Sequence, residues 1–141
     1  MGNKISVKKV GFEDVQYILK SNRNHIIMST LSDSTQECII RGTISPDNEV
    51  SVINKSIGKN SLYIIIYGRN CTDETVYEKY HSLLGLGFTN VWVYPGGLFE
   101  WLCLQDIYGE DNFPTTSTEV DILKYKPDVV FNTLFLTDID Y

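Results

Sequence analysis

Between Leu62 and Trp101 the chain holds the residues whose types and spacing could do chemistry. An apolar run, LYIIIY, gives way to the polar loop GRNCTDET, and this to VYEKYHSLLGLGF and TNVWVYPGGLFEW. Within a few residues the loop Gly68 to Thr75 sets a thiol (Cys71), a guanidinium (Arg69) and two carboxylates (Asp73 and Glu74). A cysteine at the amino terminus of a helix has its pKa lowered by the converging N–H groups and becomes a nucleophile. Cys71 is therefore one candidate catalytic residue, and Gly68, Arg69, Asn70, Cys71, Thr72 and Asp73 form the candidate site loop. The alternative is structural: Cys71 only occupies the start of the helix, with Thr72 or Asp73 as its cap, which also accounts for the acidic pair. His81 lies ten residues beyond Cys71, about 15 Å along one helix, too far to pair with it.

The elements around the loop must hold it in place. The run after Leu62 is rich in Ile and Tyr and lacks period-two alternation, as a strand buried on both faces does. Val76, Tyr80, Leu83, Leu84 and Gly87 recur at helical spacing and give the next element an apolar stripe able to cover that strand. Strand, helix and second strand in this order make a right-handed parallel unit, whose strand-to-helix loop opens at the carboxyl edge of the sheet, where ligands of such folds bind. Gly96 and Gly97 then allow a sharp turn into a helix from near Leu98 to Gly109, with Trp101 one turn in.

Upstream, Phe12, Val15, Ile18 and Leu19 predict a helix over Phe12 to Lys20, with Glu13 and Asp14 suited to its first turn. His25 to Met28 reads as a short strand, Ser29 to Glu37 as a hydroxyl-rich loop, and Cys38 to Ile44 as a bend and short strand. Pro46, Asp47 and Asn48 read as a turn before a helix over Glu49 to Ser56. Downstream, Thr118 begins a T-x-x-D capping pattern ahead of a helical stretch through Lys124. The apolar tail Val129 to Leu136 reads as a strand or as a segment lying along the domain.

A chain of 141 residues suits one domain with a substantial core. The net charge of −6 is uneven: residues 1–60 carry 8 Lys and Arg against 6 Asp and Glu, and residues 61–141 carry 4 against 12. So acidic a second half argues against a nucleic-acid partner. Cys38, Cys71 and Cys103 are odd in number, widely spaced and without C-x-x-C, which suits free thiols in a reducing, cytoplasmic setting rather than disulfides or zinc. No metal or cofactor is implied. At the amino terminus, Gly2 and Ser6 match M-G-x-x-x-[ST], the pattern for N-myristoylation after removal of Met1. One myristoyl chain holds a membrane only marginally, and Lys4, Lys8 and Lys9 would supply the second attraction, toward an anionic leaflet.

The segment IIIYGRNCTDETVYEKYHSLLGLGFTNVWVYPGGLFEW resembles the second half of rhodanese-like domains. There a strand ends in Y-C, a C-x-x-x-x-R loop wraps an anion, a helix follows, and a G-F-x-N-V strand, G-G and Trp come next. Gly87, Phe88, Asn90, Val91, Gly96, Gly97 and Trp101 match the latter part, and IIRGTI, with Gly42 and Ile44, is similar to the family's H-I-P-G-A-I. The likeness spans residues 10 to 108. It implies an α/β rhodanese-like domain over residues 11–126, with a central parallel sheet flanked by helices on both faces. Residues 1–10 would be a basic amino-terminal segment and 127–141 a carboxyl-terminal extension.

The resemblance also implies sulfur transfer, in which a loop thiolate attacks a sulfane sulfur and holds it as a persulfide. Here the matching position is Gly68, and Asp73 stands where the loop Arg of the family often sits. Glycine cannot perform that step. Asp73 and Glu74 would repel a nearby anion by on the order of 1–4 kcal/mol, only partly offset by Arg69, so thiosulfate or phosphate would be poorly received. The cell-cycle phosphatases that share the fold need the same Cys and Arg. The expectation is a rhodanese-like domain without standard sulfurtransferase activity, acting as a binding or regulatory module. The alternative is a sulfurtransferase that forms its persulfide on Cys71. Partners would be a protein or a small sulfur-containing anion, with a membrane surface added if Gly2 is acylated.

Overall fold

The computed structural model describes residues 6–32 and 38–136. Gly2 of the lipidation motif, Lys4 of the basic cluster beside it, and positions 33–37 of the hydroxyl-rich loop lie outside the described residues.

Three strands, β1 (His25–Ser29), β2 (Tyr63–Tyr67) and β3 (Val91–Tyr94), form a parallel sheet in that order. Ile64 of β2 pairs with Ile26 and Val91, and Ile66 with Met28 and Val93. Single parallel bridges, Lys9 beside Val93 and Thr43 beside Ile27, extend the ladder at its two edges. Side chains of a strand alternate between faces, and here both faces are apolar. Ile27, Ile65, Tyr67 and Tyr94 join one core cluster with Val15, Ile18, Leu98, Trp101 and Leu102. Ile26, Met28, Ile64, Ile66, Val91 and Val93 join the other with Ile53, Val76, Tyr80 and Leu83. That division explains why the strands show no alternation in sequence. Each fully buried Ile adds about 1.5–3 kcal/mol on either side.

The first face is covered by α1 (Phe12–Lys20) and α4 (Gly97–Tyr108), the second by α2 (Pro46–Ser56) and α3 (Thr75–Gly85). The stripe predicted for α3 is the one it buries, with Val76, Tyr80 and Leu83 inside, Leu84 half-buried and Gly87 exposed beyond the end of the helix. In α1 the side chain of Asp14 accepts the N–H of Gly11, so its acidic first turn serves the free amides. Gly97 begins α4 at φ +67°, where a Cβ would lie 2.7 Å from the carbonyl oxygen of Gly68. Only glycine lets α4 start this close to the strand-end loop.

Four expectations need correction. Pro46 to Asn48 is not a separate turn but the first turn of α2: Ser45 caps it through the N–H of Asp47, and Pro46 loses nothing where its missing N–H would be unpaired anyway. The segment Cys38 to Ile44 forms no strand of its own, only the bridges at Ile40 and Thr43 around a turn at Gly42. Thr118 caps no helix; the regular piece is a short 3-10 turn, Ile122–Tyr125, anchored by the buried Tyr125. The tail is a short exposed helix, α5 (Phe131–Leu136), in which Phe131 and Phe135 stack one turn apart with ring centroids 5.4 Å apart.

Candidate functional site

β2 ends at the fully buried Tyr67, whose hydroxyl accepts the N–H of Ile40 at 3.1 Å and lies 2.7 Å from the Thr43 hydroxyl. Burial pushes its pKa well above the ordinary phenol value, more than these bonds lower it, so it stays a neutral structural group. Beyond it, the carbonyls of Gly68 and Arg69 accept the N–H groups of Leu98 and Phe99, each at 2.9 Å. Amides of the first turn of α4 are thus spent on the loop backbone and hold it in place.

The centre of the loop is the Asp73 carboxylate. Its Oδ2 accepts the N–H of Arg69 at 2.9 Å, and its Oδ1 accepts the N–H of Thr75 at 3.0 Å and the Thr75 hydroxyl. The Thr75 hydroxyl lies 2.7 Å from that of Thr30, tying the loop to the end of β1. Burial would raise the Asp73 pKa, but the bonds from Arg69, Thr75 and Thr30 together outweigh it and hold the carboxyl below its ordinary range. A Cβ on the buried Gly68 would stand 2.4 Å from Asp73 Oδ2, 2.8 Å from its Cγ and 2.9 Å from Val76 Cγ1. Position 68 is empty so that position 73 can fold back over it.

The other loop residues are also engaged. The buried Asn70 donates to the Tyr125 carbonyl at 2.9 Å, and its side-chain oxygen accepts from the N–H and hydroxyl of Thr72. Arg69 donates to the Lys124 carbonyl and lies over the Tyr125 ring, 5.7 Å from its centroid. Among the described residues no ion pair joins Arg69 to Asp73 or Glu74. Cys71 is exposed in the turn at Cys71 and Thr72. The loop's amides at Arg69, Thr72 and Thr75 go to Asp73 and Asn70. His81 is exposed on α3 with its ring edge against Tyr80. Cys38 is buried and Cys103 half-buried, its pKa raised by burial first and then by Asp106 and Glu100.

Sequence reasoning named the loop but missed three of its supports. Thr30, Lys124 and Tyr125 approach it from far along the chain, with no local signal. Asp73 two places before Thr75 at a helix start is an Asx-type signal for a carboxylate folding onto its own backbone, and it was legible. Among the described residues no group of three or more His, Cys, Asp or Glu could hold a metal ion. No described helix is long and apolar enough to cross a membrane.

The architecture is that of a rhodanese-like domain, an α/β fold with helices on both faces of a parallel sheet. Three solved structures carry the comparison. The chain is similar to Ygr203w, a yeast protein tyrosine phosphatase of the Rhodanese family, with 15% identity, a TM-score of 0.63, and coverage of 84% of this chain and 99% of that one. It is similar to the BH2092 protein of Bacillus halodurans, with 18% identity, a TM-score of 0.60, and coverage of 90% and 89%. To the Alr3790 protein of Anabaena the identity is 22%, the TM-score 0.55 and the coverage 82% and 86%. No protein-family model and no curated protein matches the sequence. What is shared at these identities is the fold.

Proposed function

We propose that this chain is a rhodanese-fold domain that has given up nucleophilic chemistry at its strand-end loop and serves as a binding or regulatory module. The observation that carries this is the Asp73 carboxylate, which fills the space over Gly68 and takes the N–H groups of Arg69 and Thr75. An internal anion so placed competes with any external one and supplies no nucleophile. Around it, the exposed acids Asp47 and Glu78 in the first turns of α2 and α3 stand at the carboxyl edge of the sheet, while Glu49 pairs with Lys79 and Glu100 accepts the Tyr94 hydroxyl. The two exposed acids suit a basic protein partner better than a phosphate or thiosulfate. The test is turnover of thiosulfate with cyanide, and of a phosphotyrosine peptide, by the purified chain. Ordinary turnover of either would end this proposal.

A second reading rests on the exposure of Cys71 within the same loop. In it, the Cys71 thiolate attacks the sulfane sulfur of thiosulfate, forming the persulfide as the S–S bond of the donor breaks and sulfite leaves, and intact-mass analysis after exposure to thiosulfate shows one added sulfur that Cys71→Ser abolishes. No gain in mass removes it.

For localisation we propose a cytoplasmic protein held at membranes by a myristoyl group on Gly2. Membrane partitioning unchanged by Gly2→Ala, in a host with the transferase, would refute this.

A further inference from the structure

The topology separates charge between the two ends of the sheet. Each of α2, α3 and α4 begins at the carboxyl edge, where its acidic first turn complements the positive end of the helix dipole; the cations at that end are engaged or lie by the loop, Lys79 paired with Glu49 and Arg69 bonded to the Lys124 carbonyl. At the opposite, amino edge, the segments leading into the strands carry Lys20, Arg23, Arg41, Lys55 and Lys59, all exposed. Lys8 joins them, donating to the carbonyl of Thr89 at 2.9 Å just before β3. Three acids share this end at the close of α4, Asp106, Glu110 and Asp111, and Glu110 lies 3.7 Å from Arg41. Lys8, Lys9 and Arg23 border an aromatic groove of about 420 Å³ whose lining includes Tyr17, Tyr63 and Trp92 and one acid, Asp14. Lys8 lies 5.1 Å from the centre of the Trp92 ring and Arg23 6.0 Å from that of Tyr63.

Exposed Lys and Arg side chains beside the exposed Tyr17 ring and the half-buried Tyr63 and Trp92 match the chemistry of a lipid headgroup layer, where cations meet anionic lipids and aromatic rings sit at the interface. The geometry points to the amino edge of the sheet as a docking face for an anionic bilayer surface, with the Gly68 to Thr75 loop held on the far side, toward solution. The inference rests on the membrane reading above and adds to it a face and an orientation.

The overall charge of −6 does not prevent this. A five-residue strand spans about 17 Å, roughly two Debye lengths at physiological salt, so the acidic edge is screened from a surface that the basic edge touches. The amino terminus fits the same orientation. The segment through Lys8 pairs alongside β3, with the N–H of Val93 donating to the Lys8 carbonyl at 2.9 Å. Six residues reach at most about 20 Å, which keeps a lipid on Gly2 within about 20 Å of the strand edge that Lys8 occupies.

The test uses the full chain made without the acyl transferase, mixed with phosphatidylcholine vesicles containing or lacking phosphatidylserine. Binding should occur only with phosphatidylserine and be lost in 0.5 M salt, where the Debye length is about half its physiological value. Arg23→Gln/Lys59→Gln should weaken it about 30-fold, at about 1 kcal/mol for each cation near the surface. Lys126→Gln, which removes a cation next to the loop, should leave it unchanged, and thermal unfolding checks that all variants fold. Equal binding to neutral vesicles, or no effect of the double substitution, overturns the inference. So does absence of vesicle binding with a salt-sensitive rise in molar mass, since the basic edge would then take the acidic edge of a second copy. The acylation reading fails separately: it is Gly2→Ala in the acylating host that decides it, and the unacylated chain can still bind by this face.

Discussion

Whether Gly68 and Asp73 form one device can be measured by a double-mutant cycle. Gly68 does not lie in the left-handed region, so Gly68→Ala introduces no backbone strain and tests contact alone. The added Cβ, 2.4 Å from Asp73 Oδ2, must drive the carboxylate out of its seat. Overpacking costs about 1–3 kcal/mol, and a displaced carboxylate forfeits hydrogen bonds worth about 1.5–3 kcal/mol when one partner is charged, so a loss of about 3–4 kcal/mol is expected. Asp73→Ala alone leaves the N–H groups of Arg69 and Thr75 without their acceptor and should cost about 2 kcal/mol. If the two acted independently the double variant would lose about 5–6 kcal/mol, the plain sum of the two. With the carboxylate gone there is little left for the new methyl to hit except Val76, and the expected loss is about 3 kcal/mol, a coupling on the order of 2–3 kcal/mol. Urea unfolding reads this directly: at a slope of about 2 kcal/mol/M, a 3 kcal/mol loss moves the midpoint by about 1.5 M. Additivity within about 0.5 kcal/mol would show that the carboxylate does not occupy the space above Gly68, and the functional proposal would lose its support.

Three other outcomes are expected. The Asp73 carboxyl is held below its ordinary pKa, so its contribution to stability is complete above the unfolded value and is lost as pH falls through the folded one; Asp73→Asn should flatten the acid limb of a stability–pH curve, and an unchanged limb would contradict the assignment. Tyr67→Phe leaves the buried N–H of Ile40 without its acceptor and should cost about 1–3 kcal/mol by thermal or urea unfolding, with a loss below about 0.5 kcal/mol speaking against the bond. Gly97→Ala places a Cβ 2.7 Å from the Gly68 carbonyl at φ +67° and should destabilise by more than about 2 kcal/mol, together with faster amide exchange at Leu98 and Phe99; native exchange there would show that α4 does not clamp the loop.

The elements that a reader of the sequence could place are those whose pattern is local and strong. The YIIIY strand, the α3 stripe and the Gly-Gly turn each carry their own signature, and the sheet's two buried faces follow from the missing alternation. Where the outcome depended on a competing use of the same residues, local pattern failed. Pro46 reads as a turn residue until Ser45 is seen to cap it, and the apolar tail reads as a strand or a segment along the domain where the structure has the short helix α5. The loop is the sharper case. Its residues were named from sequence, yet Asp73 was read as a charge that repels an incoming anion. Folded, it takes two amides of the loop, those of Arg69 and Thr75, over a glycine where a Cβ would meet both Asp73 and Val76, which spacing along the chain does not reveal.

The single bridges at Lys9 and Thr43 have a consequence for how the molecule lives in a crowded solution. A parallel sheet of three strands would ordinarily leave two long rows of free donors and acceptors, each able to recruit a neighbour's backbone. Here each margin is covered at one position by the same chain, Lys9 beside Val93 and Thr43 beside Ile27, which hinders strand addition at those points. A deletion that stripped residues 6–10 would reopen the β3 margin, and clumping at high protein concentration should be its first symptom.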